Sequence, residues 1–103
     1  MQNYSNIYTQ LYLNQIESSK KVIKDFEEKP EVNLSHIISF LHLVQYTIQL
    51  EKAKLPENVC KNLKSYASKI EKLQNKRTSN QNCYSNKDVE IYGRLYAIKQ
   101  LLK

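Results

Sequence analysis

The stretch LPENVCKNLKSYASKIEKLQNKR, residues 55–77, sets the fold class of this chain. Its apolar side chains recur at alternating steps of four and three residues, at Val59, Leu63, Tyr66, Ile70 and Leu73. That spacing lines one face of an amphipathic helix, and a proline such as Pro56 is tolerated in a first helical turn. We therefore predict a helix over residues 56–77 that buries this seam against other helices.

Outward from this helix, three further helices are predicted at about residues 3–28, 33–54 and 86–102. Pro30 separates the first two, because proline disfavours helical geometry in the residue before it. Asn33 or Ser35 can cap the second helix. Ser85 followed by Asp88 resembles a capping box at the start of the last, after a flexible loop at 78–86.

A β-sheet protein of this length needs many more turn residues than this chain has. Among 103 residues there are one glycine and two prolines, whereas antiparallel strands need turn signals about every 8–12 residues. The predicted fold is therefore all-α, an antiparallel four-helix bundle forming a single domain over residues 1–103.

The apolar stripes of the second and last helices give the expected core. The second helix is apolar nearly all round, which suits either the centre of the bundle or a helix with a second face for a partner. Gly93 in the last helix is unfavourable by about 1 kcal/mol relative to alanine. The expected stripes are Leu34, Ile37, Ile38, Leu41, Val44 and Ile48 in the second helix, and Val89, Tyr92, Leu95, Ile98 and Leu102 in the last, with Ile91, Tyr96 and Leu101 alongside.

Charge is distributed unevenly along this basic chain, whose net charge is +6. Residues 1–16 carry no charged side chain, whereas residues 51–77 hold eight basic and three acidic ones. The uncharged segment 34–50 is too short and too polar to cross a membrane, which takes about 20 predominantly apolar residues. The positive charge thus belongs mainly to the third helix.

No catalytic, metal or cofactor site is expected from the sequence. His36 and His42 are six residues apart, whereas helical zinc ligands are three or four apart. Cys60 lies on the apolar side of its helix, where a thiol is inert, and Cys83 lies in the loop. We therefore predict a non-enzymatic protein. No apolar run with a small-residue cleavage site follows Met1, which favours an intracellular protein with two reduced thiols, a single disulfide being the alternative.

Tyrosines, apolar side chains off the main stripes and cations are the expected contacts with a partner. Tyr4 lies beyond the seam that Tyr8 and Tyr12 continue into Ile16, and tyrosine is enriched in interface hot spots. The cations of the third helix suit either an acidic protein surface or nucleic acid phosphates. The candidate partner-binding residues are Tyr4, Phe40, Tyr46, Lys61, Lys64, Lys72, Lys76, Arg77, Arg94 and Tyr96.

One stretch of the chain resembles a known family. Residues 20–70, KKVIKDFEEKPEVNLSHIISFLHLVQYTIQLEKAKLPENVCKNLKSYASKI, are similar in pattern to the immunity proteins of class IIa bacteriocins, the enterocin A immunity type. The likeness lies in a Lys/Glu-rich helix end, an apolar helix, and KLPENV opening another amphipathic helix. It implies a four-helix bundle that protects a membrane sugar transporter from a bacteriocin by binding, without catalysis.

These observations favour a protective or inhibitory binder that acts by stoichiometric protein–protein contact, such as a bacteriocin immunity protein. Its expected partner is a membrane transporter subunit or a toxin–receptor complex. The alternatives are a nucleic-acid-binding module built on the basic third helix, and a phage- or plasmid-encoded inhibitor of a host enzyme or defence complex. The expected location is the cytoplasm, with peripheral contact at the inner face of the membrane left open, and a homodimer is compatible with each role.

Overall fold

The fold is described from a computed structural model, which covers most of the chain. The described residues are Gln10, Asn14, Ile16, 20–51 and 55–103. They form four main helices and one short 3₁₀ turn and contain no strand, which confirms the all-α four-helix bundle. The helices are α1 (Lys20–Glu28), α2 (Leu34–Glu51), α3 (Glu57–Thr78) and α4 (Asn86–Leu101), and the 3₁₀ turn is Pro30–Val32.

The predicted first helix, residues 3–28, is observed as α1 over its last nine residues, Lys20–Glu28. Most of its earlier part, including Tyr4 and the two tyrosines that follow it, lies outside the described residues. The three isolated described residues before α1 are helical, and one of them, Ile16, is buried in the core.

The bend between α1 and α2 is built by Pro30 and Asn33. Lys29 before the proline is not helical, with φ −139° and ψ 72°, because proline disfavours helical geometry in the residue before it. The Asn33 side chain donates to the backbone carbonyls of Asp25 and Lys29, at 3.1 and 2.9 Å. Asn33 therefore satisfies the carbonyl end of α1 and directly precedes α2, whereas Ser35, the other residue expected to cap α2, lies inside that helix.

α2 is the helix around which the others assemble. It packs most extensively on α4 and also contacts α1, while the ring of Phe40 meets Tyr66 of α3 edge-on with centroids 6.1 Å apart. Its fully buried apolar residues match the predicted stripe, except that Ile38 is half-buried and Phe40 joins the interior.

Neighbouring helices along the chain run antiparallel, and alternate helices run parallel. Between α3 and α4, Asn75 pairs with Tyr92 and Glu71 with Lys99. Between α2 and α4, Ser35 pairs with Lys87 and Gln45 with Arg94. The direct packing of the parallel pair α2 and α4 means that this bundle is not a regular square.

The buried row of α4 differs from the predicted one. Val89 is 60% exposed, and the inward row is Asp88, Ile91, Leu95, Ile98 and Leu102. The prediction that Val89 lines the core was wrong, whereas Tyr92 is half-buried and packs against it. Asp88 turns inward to meet α3, and this sets the rotation of the helix.

The buried row of α3 also differs from the predicted seam. Its fully buried residues are Leu63, Ala67, Ile70, Gln74 and Thr78, whereas Val59, Tyr66 and Leu73 of the predicted seam are half-buried. Two polar residues enter the interior because α4 supplies them with hydrogen-bond partners.

Candidate interaction surface on the third and fourth helices

Lysines occupy the solvent side of α3. Lys61, Lys64, Lys72 and Lys76 are all exposed, as the amphipathic pattern predicts. Lys61 Nζ lies 3.9 Å from Glu57 one turn earlier. None of the other three has a carboxylate from the described residues within ion-pair distance. Their charge is therefore directed to solvent and to any approaching molecule.

Two rows of side chains line the outer surface where α3 meets α4. The rows run in opposite directions, and within each row the residues are spaced by four, three and four positions, which keeps them on one side of their helix. We call these eight residues the α3–α4 face: Lys64, Ser68, Glu71 and Asn75 from α3, and Tyr92, Tyr96, Lys99 and Lys103 from α4 and its C-terminal end.

One end of the α3–α4 face is aromatic. The Tyr92 hydroxyl donates to Asn75 Oδ1 at 2.7 Å and lies 2.9 Å from Thr78 Oγ1, so this ring is fixed. Tyr84 from the preceding loop meets it edge-on, with centroids 5.9 Å apart. Tyr96, one turn further along α4, is 66% exposed. It presents a large apolar ring and a hydroxyl to solvent.

The other end of the α3–α4 face contains a groove of about 250 Å³. Its apolar lining comes from Ala67, Ile98 and Leu102, which belong to the core or its edge. Its polar lining consists of Ser68 and three lysines, Lys64, Lys99 and Lys103. Lys99 Nζ is held 2.7 Å from Glu71 Oε1, so the other two lysines supply the uncompensated positive charge.

A buried polar network at the opposite end of α3 fixes this helix to α4. Arg77 and Asp88 form an ion pair whose side chains are 6% and 3% exposed. Gln74 donates to Asp88 Oδ1 at 2.8 Å and accepts from Arg77 Nε at 3.3 Å. Arg77 Nη1 also donates to Glu31 at 2.8 Å. This network keeps the two rows of the α3–α4 face in register.

The same carboxylate organises the start of α4. Asp88 accepts from the backbone N–H of Ser85 at 3.0 Å, and the Ser85 hydroxyl accepts from the backbone N–H of Asp88 at 3.2 Å. This is the capping box that the sequence predicts, with aspartate in place of glutamate. Helix start and helix pairing thus depend on one side chain.

The predicted partner-binding residues fall into separate groups. Lys64 and Tyr96 lie on the α3–α4 face, and Lys61, Lys72 and Lys76 lie on the exposed side of α3. Tyr46, on α2, is 46% exposed and stacks on His42, with centroids 6.1 Å apart. Tyr4 lies outside the described residues.

Three of the predicted partner-binding residues make intramolecular contacts. Phe40 is buried in the core, and Arg77 in the network with Asp88. Arg94, on the side of α4 that faces α2, binds Glu90 at 3.3 Å and Gln45 at 3.2 Å. Phe40 and Arg77 therefore stabilise the bundle and do not present their side chains to a partner.

The groove was not predicted from the sequence. Lys99 and Lys103 carried no special signal, since the third helix holds the denser run of lysines. The available indication that they share one side of α4 was the spacing of four, three and four residues from Tyr92 through Tyr96 and Lys99 to Lys103.

Neither a metal-binding cluster nor a membrane-spanning helix is found among the described residues. They bring no three side chains of His, Cys, Asp or Glu together in an arrangement that could hold a metal. None of the helices in this part of the chain combines the length and the apolar character needed to span a bilayer. Cys60 and Cys83 are free thiols, half-buried and exposed respectively.

Comparison with known proteins adds no relative. No protein-family model, curated protein or solved structure matches the chain.

Proposed function

We propose that this protein is a non-enzymatic binder that acts by stoichiometric contact with a protein partner through the α3–α4 face. The observation that carries this proposal is the presence of the exposed Tyr96 ring on the same face as a lysine-rimmed apolar groove. Interface hot spots are rich in tyrosine and lie in pockets from which water is excluded. Cations at the rim of such a surface steer a partner of opposite charge and speed its association.

The rigidity of the face supports a binding role. Tyr92 is held by two hydroxyl contacts, and Lys99 by Glu71. A surface that is already ordered loses less conformational entropy when a partner docks. The α3–α4 face is therefore suited to binding one partner without rearranging its own side chains.

The finer role that we propose is protective or inhibitory, as in a bacteriocin immunity protein. Its support is the pattern resemblance over residues 20–70. The partner would then be a transporter subunit or toxin–receptor complex, reached from the cytoplasmic side of the membrane. An inhibitor of a host enzyme or defence complex would use the same mechanism on a different target.

Affinity capture with matched variants tests the proposal. Tagged protein is incubated with membrane and cytosolic extracts of a bacteriocin-sensitive host, and expression in that host is scored for resistance. Wild type and Tyr46→Ala, an exposed tyrosine on α2, should capture one partner in stoichiometric amount. Tyr96→Ala and Lys64→Glu should lose it. Equal capture by all four proteins contradicts a role for the α3–α4 face.

Nucleic-acid binding is the second candidate, because Lys64, Lys72 and Lys76 of α3 have no carboxylate of the described residues within ion-pair distance. The α3–α4 face also carries tyrosines that could stack on bases. Arginine is the usual base-reading residue, and both arginines of the chain are engaged with their own protein. This engagement favours a protein partner.

Anisotropy with labelled single-stranded DNA and RNA separates the two candidates. Phosphate binding should weaken steeply between low and moderate salt and disappear in Lys61→Glu/Lys64→Glu/Lys72→Glu. Salt-insensitive binding, or none, rejects the nucleic-acid candidate.

A further inference from the structure

We infer that the groove at the lysine end of the α3–α4 face receives an acidic amphipathic helix, with one bulky apolar side chain inserted between α3 and α4. This inference rests on the proposed function, since it names the partner class of the same face. Helix-in-groove docking, with apolar anchors spaced at three or four residues, is a common mode of protein recognition.

The size of the groove favours a side chain as its occupant. Its volume is about 250 Å³, whereas sites for drug-sized molecules have about 300–1,000 Å³. On the α3 side the apolar lining of the groove is only the methyl group of Ala67, which leaves room for an inserted side chain. Ile98 and Leu102 form the apolar lining on the α4 side. A leucine or phenylalanine side chain placed there would bury apolar surface on both helices.

The charges around the groove select for an acidic occupant. Lys64 and Lys103 have no described carboxylate within ion-pair distance, and the charge of Lys99 is neutralised by Glu71. The two uncompensated ammonium groups lie on opposite sides of the groove, one from each helical row. Carboxylates on both sides of an inserted apolar anchor would pair with them, whereas a basic segment would be repelled.

The lysines beyond the groove suit an extended partner more than a single amino acid or other small anion. Lys61 and Lys72 continue the positive charge along α3 on either side of Lys64. A helix lying along the groove would keep its acidic side chains near this charge over several turns. The neighbouring cations thereby extend the recognition surface beyond the cavity itself.

A peptide titration tests the inference directly. The probe is a fluorescein-labelled helical peptide of Leu, Ala and Glu, about 20 residues long so that it is helical in water. The control peptide has every Glu replaced by Lys. Wild-type protein should bind the acidic peptide, with weaker affinity at higher salt, and should not bind the basic one.

Two pairs of variants separate the apolar and the ionic contributions. Ser68→Trp fills the groove without changing charge, and Ser65→Trp is its control on the same helix outside the groove. Lys64→Glu/Lys103→Glu inverts the rim, and Lys21→Glu/Lys24→Glu makes the same charge change on exposed positions of α1. We expect each groove variant to weaken binding about tenfold or more and each control to change it less than about threefold.

Several results would overturn the inference. These are no binding of the acidic peptide, equal binding of both peptides, and unchanged affinity in Ser68→Trp with its fold intact by circular dichroism. A wild-type dimer that Ser68→Trp dissociates, seen by light scattering, would show that a second copy occupies the groove. If the peptide fails but a Tyr96-dependent partner is still captured from extracts, the proposed function stands and the groove inference alone falls. If the peptide binds but no partner is captured, the groove binds acidic helices and the proposed function falls.

Discussion

Asp88 is the residue whose contacts link local and tertiary structure most closely. It is part of the capping box with Ser85 and forms the buried ion pair with Arg77, while Gln74 donates to it. A buried carboxylate without a cation would be strongly unfavourable. The charge of Arg77 is therefore needed inside the protein, although in the sequence it looks like one more cation of a basic helix.

Removing the charge of Arg77 should destabilise the bundle markedly. We expect Arg77→Met to lower the free energy of unfolding by about 3–5 kcal/mol, because it leaves Asp88 buried and unpaired. Urea denaturation followed by circular dichroism measures this change. The control Glu31→Gln, which removes the exposed partner of Arg77, should change stability by no more than about 1 kcal/mol. Equal stability of Arg77→Met and wild type would refute this role of the pair.

Gly93, unlike Asp88, is a residue whose identity the fold does not require. It lies exposed in the middle of α4, its φ is not positive, and a Cβ built on it meets no atom within 4 Å. Nothing in the described part of the chain requires a glycine there.

Gly93→Ala should therefore stabilise the protein by about 1 kcal/mol, because alanine has the higher helix propensity. The urea midpoint should rise with an unchanged slope. Ala97→Gly, one turn later, provides the matched reverse change and should lower the midpoint. A loss of stability in Gly93→Ala would contradict the open surroundings of Gly93.

At the scale of elements, α3 performs two tasks on opposite sides. Its inner side carries Leu63, Ala67 and Ile70 into the core, and its outer side carries the lysines. The lysines of the outer side contribute little to packing, so their removal should affect binding far more than folding.

Neutralising the outer side of α3 tests this division. In Lys64→Gln/Lys72→Gln/Lys76→Gln we expect each substitution to change the free energy of unfolding by less than about 0.5 kcal/mol, as at other exposed sites. Leu63→Ala on the inner side should lower it by about 2–5 kcal/mol through lost burial and a cavity. Urea denaturation of both variants measures the contrast. A triple variant as unstable as Leu63→Ala would assign the lysines a structural role.

At the scale of the whole molecule, the bundle presents two unlike surfaces. The α3–α4 face is basic and partly aromatic, whereas the exposed side of α2 carries Tyr46 and Leu50, each about half exposed. The two cysteines also differ in environment, since Cys60 packs against the core and Cys83 lies exposed in the loop before α4.

The thiols provide a measure of the intact fold. With Ellman's reagent the native protein should show one fast thiol, Cys83, and one slower thiol, Cys60, because partial burial limits access to the second. In denaturant both should react at the fast rate. Cys83→Ser should remove the fast phase alone, and two equally fast native thiols would contradict the placement of Cys60.

The positions of the helices could be predicted because their signals are local. Pro30, Pro56 and the Ser85–Asp88 capping box each mark a helix start or stop, and each signal involves only residues within a few positions of that helix end. The predicted bounds 33–54, 56–77 and 86–102 accordingly lie close to the observed Leu34–Glu51, Glu57–Thr78 and Asn86–Leu101. The rotation of each helix was harder to predict, as Val89 and Gln74 illustrate, because it depends on partners far along the chain.

The sequence by itself determined that the described part of the chain is helical, about where α2, α3 and α4 begin and end, and that α3 carries lysines on a solvent face. These features follow from side-chain periodicity and from backbone preferences that act over a few residues. Only the tertiary structure decided that Arg77 and Phe40 are buried, that Lys103 joins Lys64 around a groove, and that Tyr96 lies on the same face. The physical reason is that such pairings bring together residues of different helices, and helix packing alone fixes which sides meet.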